Sequence, residues 1–295
     1  MLILPNQKTP ILIQGITSEL GAIHTELAIA YGAHIVAGTS QDRNIDVFQN
    51  IPVFKTVKEA VRKTKPCVSV IFSSPARALS DVEEAAKAKI PLIICTTERV
   101  PLHDAFKMKA VAEKYQVTLI GPSSPGIVRT GACIAGTIPA HLFPKGKVGI
   151  IGRSSSLMYE AVQQLAEEGL GVSTCVAIGA APIVGTSFVP VFEALSADTE
   201  TKVILLIGQL SGQMENDLAT AYRMRRRQKP LVVYIPGGSV KRTIGTPLIG
   251  MPLLSPTGIV SEKRTILEKA GTVWVDNPAI LGKIVAKQIQ KKGTK

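Results

Sequence analysis

Histidine is scarce and unevenly placed. The chain has four, His24, His34, His103 and His141, and none beyond residue 141, so the second half carries no imidazole for nucleophilic or acid–base work. Cysteine is equally sparse. Cys67, Cys95, Cys133 and Cys175 are never closer than 28 residues, which excludes a CxxC metal knuckle or redox pair. Three of the four lie in or beside β-like runs, where a thiol behaves as a small buried hydrophobe. Aromatic residues make up 4%, too few for the basic–aromatic interleaving that stacks bases. There is no G-x-x-x-x-G-K-[ST] signature for ATP phosphates. No apolar run reaches the roughly 18 to 20 residues needed to span a bilayer. Met1 to Gln7 has no basic segment leading into an apolar stretch. The expectation is a cytoplasmic chain, or one in an organelle matrix without a visible transit peptide, with no membrane partner and no metal.

The composition itself is that of a core-rich globular protein. Of 295 residues, 45% are hydrophobic and 19% charged, enough chain for one large domain or two ordinary ones. The net charge is +12. The densest basic cluster is Arg223, Arg225, Arg226, Arg227 and Lys229, and a second is Lys287, Lys291, Lys292 and Lys295. A solvated helix face and a frayed tail account for both. Attraction of a polyanionic ligand or an acidic partner subunit is the competing reading, and the low aromatic content speaks against nucleic acid.

Short apolar runs alternate with amphipathic stretches. Pro10–Gln14, His34–Ala37, Cys67–Phe72, Leu92–Cys95 and Thr118–Ile120 read as buried strands, with helices over Leu20–Tyr31, Ala76–Lys89 and Leu102–Tyr115. That order predicts a parallel sheet with right-handed crossovers. Residues 122 to 146, rich in proline, glycine and serine, read as a linker. The alternation then restarts, with strands at Val148–Ile151, Val172–Ile178, Val203–Ile207 and Leu231–Ile235 and helices between them. The expected fold is α/β: a Rossmann-like domain over residues 1–121, the linker, and a flavodoxin-like doubly wound domain over 147–295. From Pro236 to Pro256 the pattern fails, with four prolines and four glycines, and a loop of that length in a compact domain is commonly functional.

The first strand runs into Gly15-Ile16-Thr17-Ser18-Glu19-Leu20-Gly21 and then a helix. A tight turn feeding a helix start presents free N–H groups and the positive dipole end to an anion. It is not G-x-G-x-x-G, because Thr17 and Leu20 occupy the later glycine positions. A nicotinamide dinucleotide would also ask for a carboxylate at the end of strand two, and none comes before Asp42.

Several stretches then line up in order along the chain. They are Gln14-Gly15-Ile16-Thr17 with Gly21, His24 and Glu26, Ala28-Ile29-Ala30-Tyr31-Gly32, Pro52-Val53-Phe54, Thr97-Glu98, and Gly121-Pro122 with Pro125-Gly126. Gly146-Lys147-Val148-Gly149-Ile150, Arg153-Ser154, Tyr159-Glu160-Ala161-Val162, Ser173-Thr174-Cys175-Val176 and Lys229-Pro230 continue the series. Together they resemble the alpha subunit of succinyl-CoA synthetase over almost the whole length. The resemblance implies a coenzyme-A-binding first domain and a ligase-type second domain. It implies that Thr17, Ser18, Glu19, Leu20, Arg43, Thr96, Thr97 and Glu98 contact coenzyme A and that Tyr159 contacts the acyl substrate. It also implies an ATP-grasp beta subunit as partner, in a heterodimer or heterotetramer.

Several departures stand inside that likeness. The family's turn has glycine where Ser18 stands and glutamine where Leu20 stands. A side chain at 18 would crowd a diphosphate unless its hydroxyl donates to it. The family relays phosphate through a histidine in the loop after Pro236; here Leu248 takes that place, and leucine has no lone pair to attack phosphorus. The glutamate that supports the histidine is Gln209. In the phosphate cradle Ser155 and Ala180 replace glycines, and the added Cβ atoms restrict the backbone where N–H groups converge. Arg153, Ser154 and Ser155 remain a candidate phosphate site, with helix capping as the alternative use of the serines. The expectation is a coenzyme-A-binding chain with no catalytic phosphohistidine. The alternative is an active acyl-CoA ligase subunit with a changed mechanism, in which Arg153 and Tyr159 still orient a carboxylate.

Overall fold

Fully buried runs four to six residues long, each followed within two residues by a glycine, serine or threonine, set the strands of both halves. The computed structural model describes residues 2–42, 44–210, 212–225, 229–237 and 260–293. The chain divides into two compact units, Leu2–Ala140 with Val176–Thr186, and His141–Cys175 with the described residues from Ser187 onward.

In the first unit β1 (Ile11–Gln14) is central. It pairs in parallel with β2 (Ile35–Thr39) on one side and β5 (Val68–Ile71) on the other. Two-residue β3 (Val47–Phe48) and β4 (Ile51–Phe54) lie outside β2, while β6 (Leu92–Cys95) and β7 (Thr118–Ile120) lie outside β5. The order is therefore β3-β4-β2-β1-β5-β6-β7, parallel except for the β3–β4 hairpin. Helices α1 (Glu19–Ala30), α2 (Val57–Thr64), α3 (Pro75–Lys87) and α4 (Leu102–Tyr115) make the crossovers. The buried positions Ala78, Val82, Ala85 and Ala86 make one stripe of α3, which packs with Leu12, Ile71, Ile93 and Met108 in the core. Each fully buried Leu, Ile or Val there contributes about 1.5–3 kcal/mol. The chain leaves β1 toward β2 and later returns to β5 on the opposite side. The crevice at the carboxyl end of β1 is thus the topological switch point, where open α/β sheets bind ligands.

Residues 122–146, expected as a linker, instead contain an antiparallel hairpin, β8 (Gly126–Arg129) and β9 (Cys133–Gly136). Its glycines misled the sequence reading. A Cβ at Gly126 would sit 2.0 Å from the Ala135 carbonyl oxygen, and one at Gly136 would sit 2.2 Å from that of Pro125. These glycines permit close strand approach rather than marking slack chain.

The second unit repeats the plan. β10 (Lys145–Gly152), which starts inside the expected linker, pairs in parallel with β12 (Val203–Ile207). β12 pairs with β13 (Leu231–Tyr234), and β13 with β14 (Val273–Trp274). β11 (Val172–Ala177) neighbours β10, giving the sequence β14-β13-β12-β10-β11. Helices α5 (Ser155–Glu167), α6 (Phe188–Ala197), α7 (Met214–Arg223), α8 (Val260–Lys269) and α9 (Leu281–Gly293) connect and cover these strands. No helix among the described residues is long and apolar enough to cross a membrane.

Candidate functional site

The switch point in the first unit is a cleft of about 780 Å³. Four strand ends build it. Gly15, Thr17 and Ser18 follow β1, Ser40 and Gln41 follow β2, Lys55 and Thr56 follow β4, and Phe72, Ser73 and Ser74 follow β5. Arg77, Asp81 and Glu84 complete it from α3. The volume suits a nucleotide-sized ligand.

The turn before α1 is held tightly. Gly15 has φ +80°, and a Cβ there would meet the Phe72 carbonyl oxygen at 2.6 Å. The Gly15 and Ile16 amides donate to Thr39 O at 3.0 and 3.1 Å. The Thr17 hydroxyl lies 2.6 Å from that of Ser40, tying the β1 loop to the β2 loop. Below them, Gln14 is buried. It accepts from Ser69 Oγ at 2.7 Å and donates to Asp81 O at 3.1 Å, which fixes strand and helix under the cleft floor.

Ser18 caps α1. Its Oγ accepts from the Gly21 amide at 3.0 Å, and its one proton is shared between Gly15 O at 2.8 Å and Phe72 O at 3.1 Å. The hydroxyl is therefore turned into the turn rather than out as a donor. What remains for an anion are the amides of Glu19 and Leu20, which helix geometry leaves without intrahelical acceptors. Both of those side chains are exposed, Leu20 by 61%. The start of α2 is already occupied. Thr56 Oγ1 accepts from the Glu59 amide and Glu84 Oε1 accepts from the Val57 amide at 2.8 Å.

Thr96 and Thr97 follow β6 and brace the cleft from behind. Thr96 donates to Ile71 O at 2.7 Å, and the buried Thr97 donates to Ser73 O at 2.9 Å. Glu98 is exposed beyond them. Arg43 lies outside the described residues. Lys55, Thr56, Ser73, Ser74 and Arg77 line the cleft and were not singled out by sequence. For Lys55, Thr56, Ser73 and Ser74 the signal is position, since they follow directly on parallel strands β4 and β5, whereas Arg77 lies in the first turn of α3. Phe72 is covered from below by His24, whose ring stacks on it at 5.7 Å; burial lowers the imidazole pKa.

The second unit gathers another set at the carboxyl edge of β10, β12 and β13. The register pairs Gly152 with Ile207 and Ile207 with Tyr234, so Arg153, Gly208 and Ile235 leave the sheet side by side. Arg153 is 8% exposed. Burial lowers its pKa, and the nearby Glu215 carboxylate opposes that. Ser154 is the N-cap of α5 by backbone geometry but makes no capping bond with its side chain. Capping therefore does not account for its hydroxyl. Helix geometry leaves the Ser155 amide without an intrahelical acceptor at the same end. Tyr159, half-buried on α5, packs edge-on against Phe143 at 6.0 Å, and burial pushes its phenol up to about 12. At physiological pH it is a neutral hydroxyl.

Gln209 is held through its backbone. Its amide donates to Glu215 Oε1 at 2.7 Å, and its carbonyl accepts from Lys263 Nζ at 2.8 Å. Glu215 and Lys263 form an ion pair at 2.7 Å with side chains 1% and 0% exposed. Leu248 and nearly all of the loop after Pro236 lie outside the described residues. Gly179, in the first unit, takes φ +115°, and a Cβ there would meet Pro122 O at 2.5 Å. No cluster of metal-type ligands occurs among the described residues.

Two family models match the chain, the CoA binding domain over residues 6–99 and the succinyl-CoA ligase like flavodoxin domain over residues 145–281. Among curated proteins, the succinate–CoA ligase [ADP-forming] alpha subunit of Aquifex aeolicus is 37% identical over 289 residues, covering 97% of this chain and 94% of its own. That of Staphylococcus epidermidis is 34% identical over 288 residues, covering 98% and 95%. Among solved structures, ATP citrate lyase from Methanothrix soehngenii, in complex with citrate and coenzyme A, superposes with a TM-score of 0.85 at 21% identity over 99% of this chain. The dinucleotide-forming acetyl-coenzyme A synthetase 1 of Ca. Korarchaeum cryptofilum gives 0.72 at 18% identity over 92%. The chain spans about half the length of these two, 51% and 58%, and at such identities they show the fold alone.

Proposed function

Because the chain belongs to the family of succinate–CoA ligase alpha subunits, we propose that it binds coenzyme A in the cleft at β1 and does so without a phosphohistidine relay. The observation that carries the first half is the turn Gly15–Gly21. It lies inside the matched CoA-binding segment, at the switch point, with the Glu19 and Leu20 amides left for an anion. Thr17 and Ser18 shape the turn, and Thr96 and Thr97 brace the loop after β5; Arg43, outside the described residues, is the cation that the family likeness assigns to the ligand. The second half rests on composition: residues 145–281, the whole matched ligase segment, contain no histidine. An ATP-grasp beta subunit is the partner of this reading, since the chain has no ATP-binding signature of its own.

A second reading is favoured by what the second unit keeps. Arg153, the Ser154–Ser155 helix start and Tyr159 occupy positions fit to orient a carboxylate or phosphate, and the curated relatives are named as ligases. An acyl phosphate attacked directly by the coenzyme A thiol needs no histidine. Calorimetric titration with coenzyme A should give saturable one-site binding; no heat would remove the proposal. Incubation with a candidate beta subunit and γ-labelled ATP should leave the chain unlabelled, and label on any residue of the second unit would overturn the missing relay. Thioester formed from ATP, coenzyme A and a carboxylate without labelled protein would select the second reading.

A further inference from the structure

Coenzyme A carries phosphate in two places, a diphosphate and a separate 3′-phosphate on the ribose. The β1–α1 turn offers one cluster of amides and so accounts for one of them. The same cleft has a second wall, formed where β4 and β5 pass into α2 and α3, and cations stand on it. Lys55 is the first residue after β4, and Arg77 lies in the first turn of α3; both are exposed and both line the cleft.

The two carboxylates on that wall are already engaged. Asp81, 6% exposed, accepts from an Arg77 guanidinium nitrogen at 3.1 Å. Glu84 accepts from the Val57 amide. Asp81 thereby steadies the guanidinium from below and leaves its other N–H donors for a ligand. A fork plus an ammonium matches a phosphate dianion, whereas ribose hydroxyls call for an acceptor carboxylate.

We propose that Lys55 and Arg77 form a second phosphate locus in this cleft and that it takes the ribose 3′-phosphate of coenzyme A. This rests on the coenzyme A reading above and adds to it a basis for selecting the 3′-phosphorylated nucleotide.

Calorimetry with the full chain, using coenzyme A and dephospho-coenzyme A, which lacks only that phosphate, tests it. The unmutated protein should bind coenzyme A at least about tenfold more tightly, the size of one charge-assisted hydrogen bond. Lys55→Met and Arg77→Met should each weaken coenzyme A about tenfold and leave dephospho-coenzyme A unchanged, and Arg77→Lys should recover part of the loss. Arg77→Met strips Asp81 of its partner. If that variant unfolds, Lys55→Met and the unmutated chain's choice between the two ligands carry the test. Equal affinity for both ligands, or Met variants that lose both ligands alike, overturns the locus while coenzyme A binding stands. Binding of neither ligand removes the coenzyme A reading and the locus with it.

Discussion

At Gly21 a single methyl group would sit 2.0 Å from the Gly15 carbonyl oxygen and 2.8 Å from Ser18 Oγ, inside the turn that offers amides to the cleft. The atoms it would meet are backbone and a capping hydroxyl, so no flexible side chain can swing away. Gly21→Ala should cost about 3 kcal/mol in urea unfolding, the upper range for overpacking, and weaken coenzyme A binding in the fraction that folds. Gly169→Ala is the comparison. Unlike helical Gly21 it has positive φ, +66°, but nothing within 4 Å, so only the backbone strain of about 1 kcal/mol applies. A Gly21 variant no worse than the Gly169 variant would show that the turn can open. The glycine spacing was legible in the sequence. The fate of Ser18 was not, because whether a hydroxyl donates outward or caps its own helix depends on where Phe72 O lies, 54 residues away. That Lys55 and Arg77 share one cleft was also unreadable, since only the sheet order brings the ends of β4 and β5 together there.

Among the elements, the long apolar strands and their helices were plain from periodicity, while β3, β4 and α2 were not. Pro52 interrupts β4, and α2 has eight residues with Val57 and Ala60 as its buried positions, too few to set a period. α8 hid its role differently. Its sequence VSEKRTILEK reads as a solvated helix, yet Lys263 is fully buried against Glu215 of α7. Together they grip both backbone groups of Gln209 after β12, so the edge that carries Arg153 is braced by an ion pair in the core. Removing one partner leaves a buried charge uncompensated. Lys263→Met should therefore lower stability by about 3–5 kcal/mol. The double variant Lys263→Met, Glu215→Gln should lose clearly less than the two single variants summed, because each single change leaves one buried charge unpaired and the double removes both charges. A double-mutant cycle by urea denaturation measures this coupling, and additive losses would show that the pair does not act as a unit.

Across the whole molecule, the two α/β halves follow from the alternation of runs, and the excess of 34 basic over 22 acidic residues is visible at once. The sequence could not say which cations are free to act at a distance. The Arg223–Lys229 cluster reads in sequence as a solvated helix face, with attraction of a polyanion or an acidic partner as the competing reading. Within it Arg225 lies over Phe192 and pairs with Glu193 at 3.7 Å, and Lys229 donates to the Leu195 and Asp198 carbonyls where α6 ends. Those two charges are fastened to the fold, and their effect on a ligand is through the field rather than by contact. A net charge of +12 raises the local concentration of a polyanion and speeds its encounter with the cleft. Raising ionic strength from about 0.01 to 0.15 M shortens the screening length from about 30 to 8 Å. Stopped-flow binding of coenzyme A, followed by Trp274 fluorescence or a labelled ligand, should show the association rate falling roughly tenfold over that range. The dissociation rate should change less, because the contacts that hold the ligand lie within the cleft, well inside the shorter screening length. A salt-independent association rate would mean that the positive charge serves another surface of the protein and not the capture of this nucleotide.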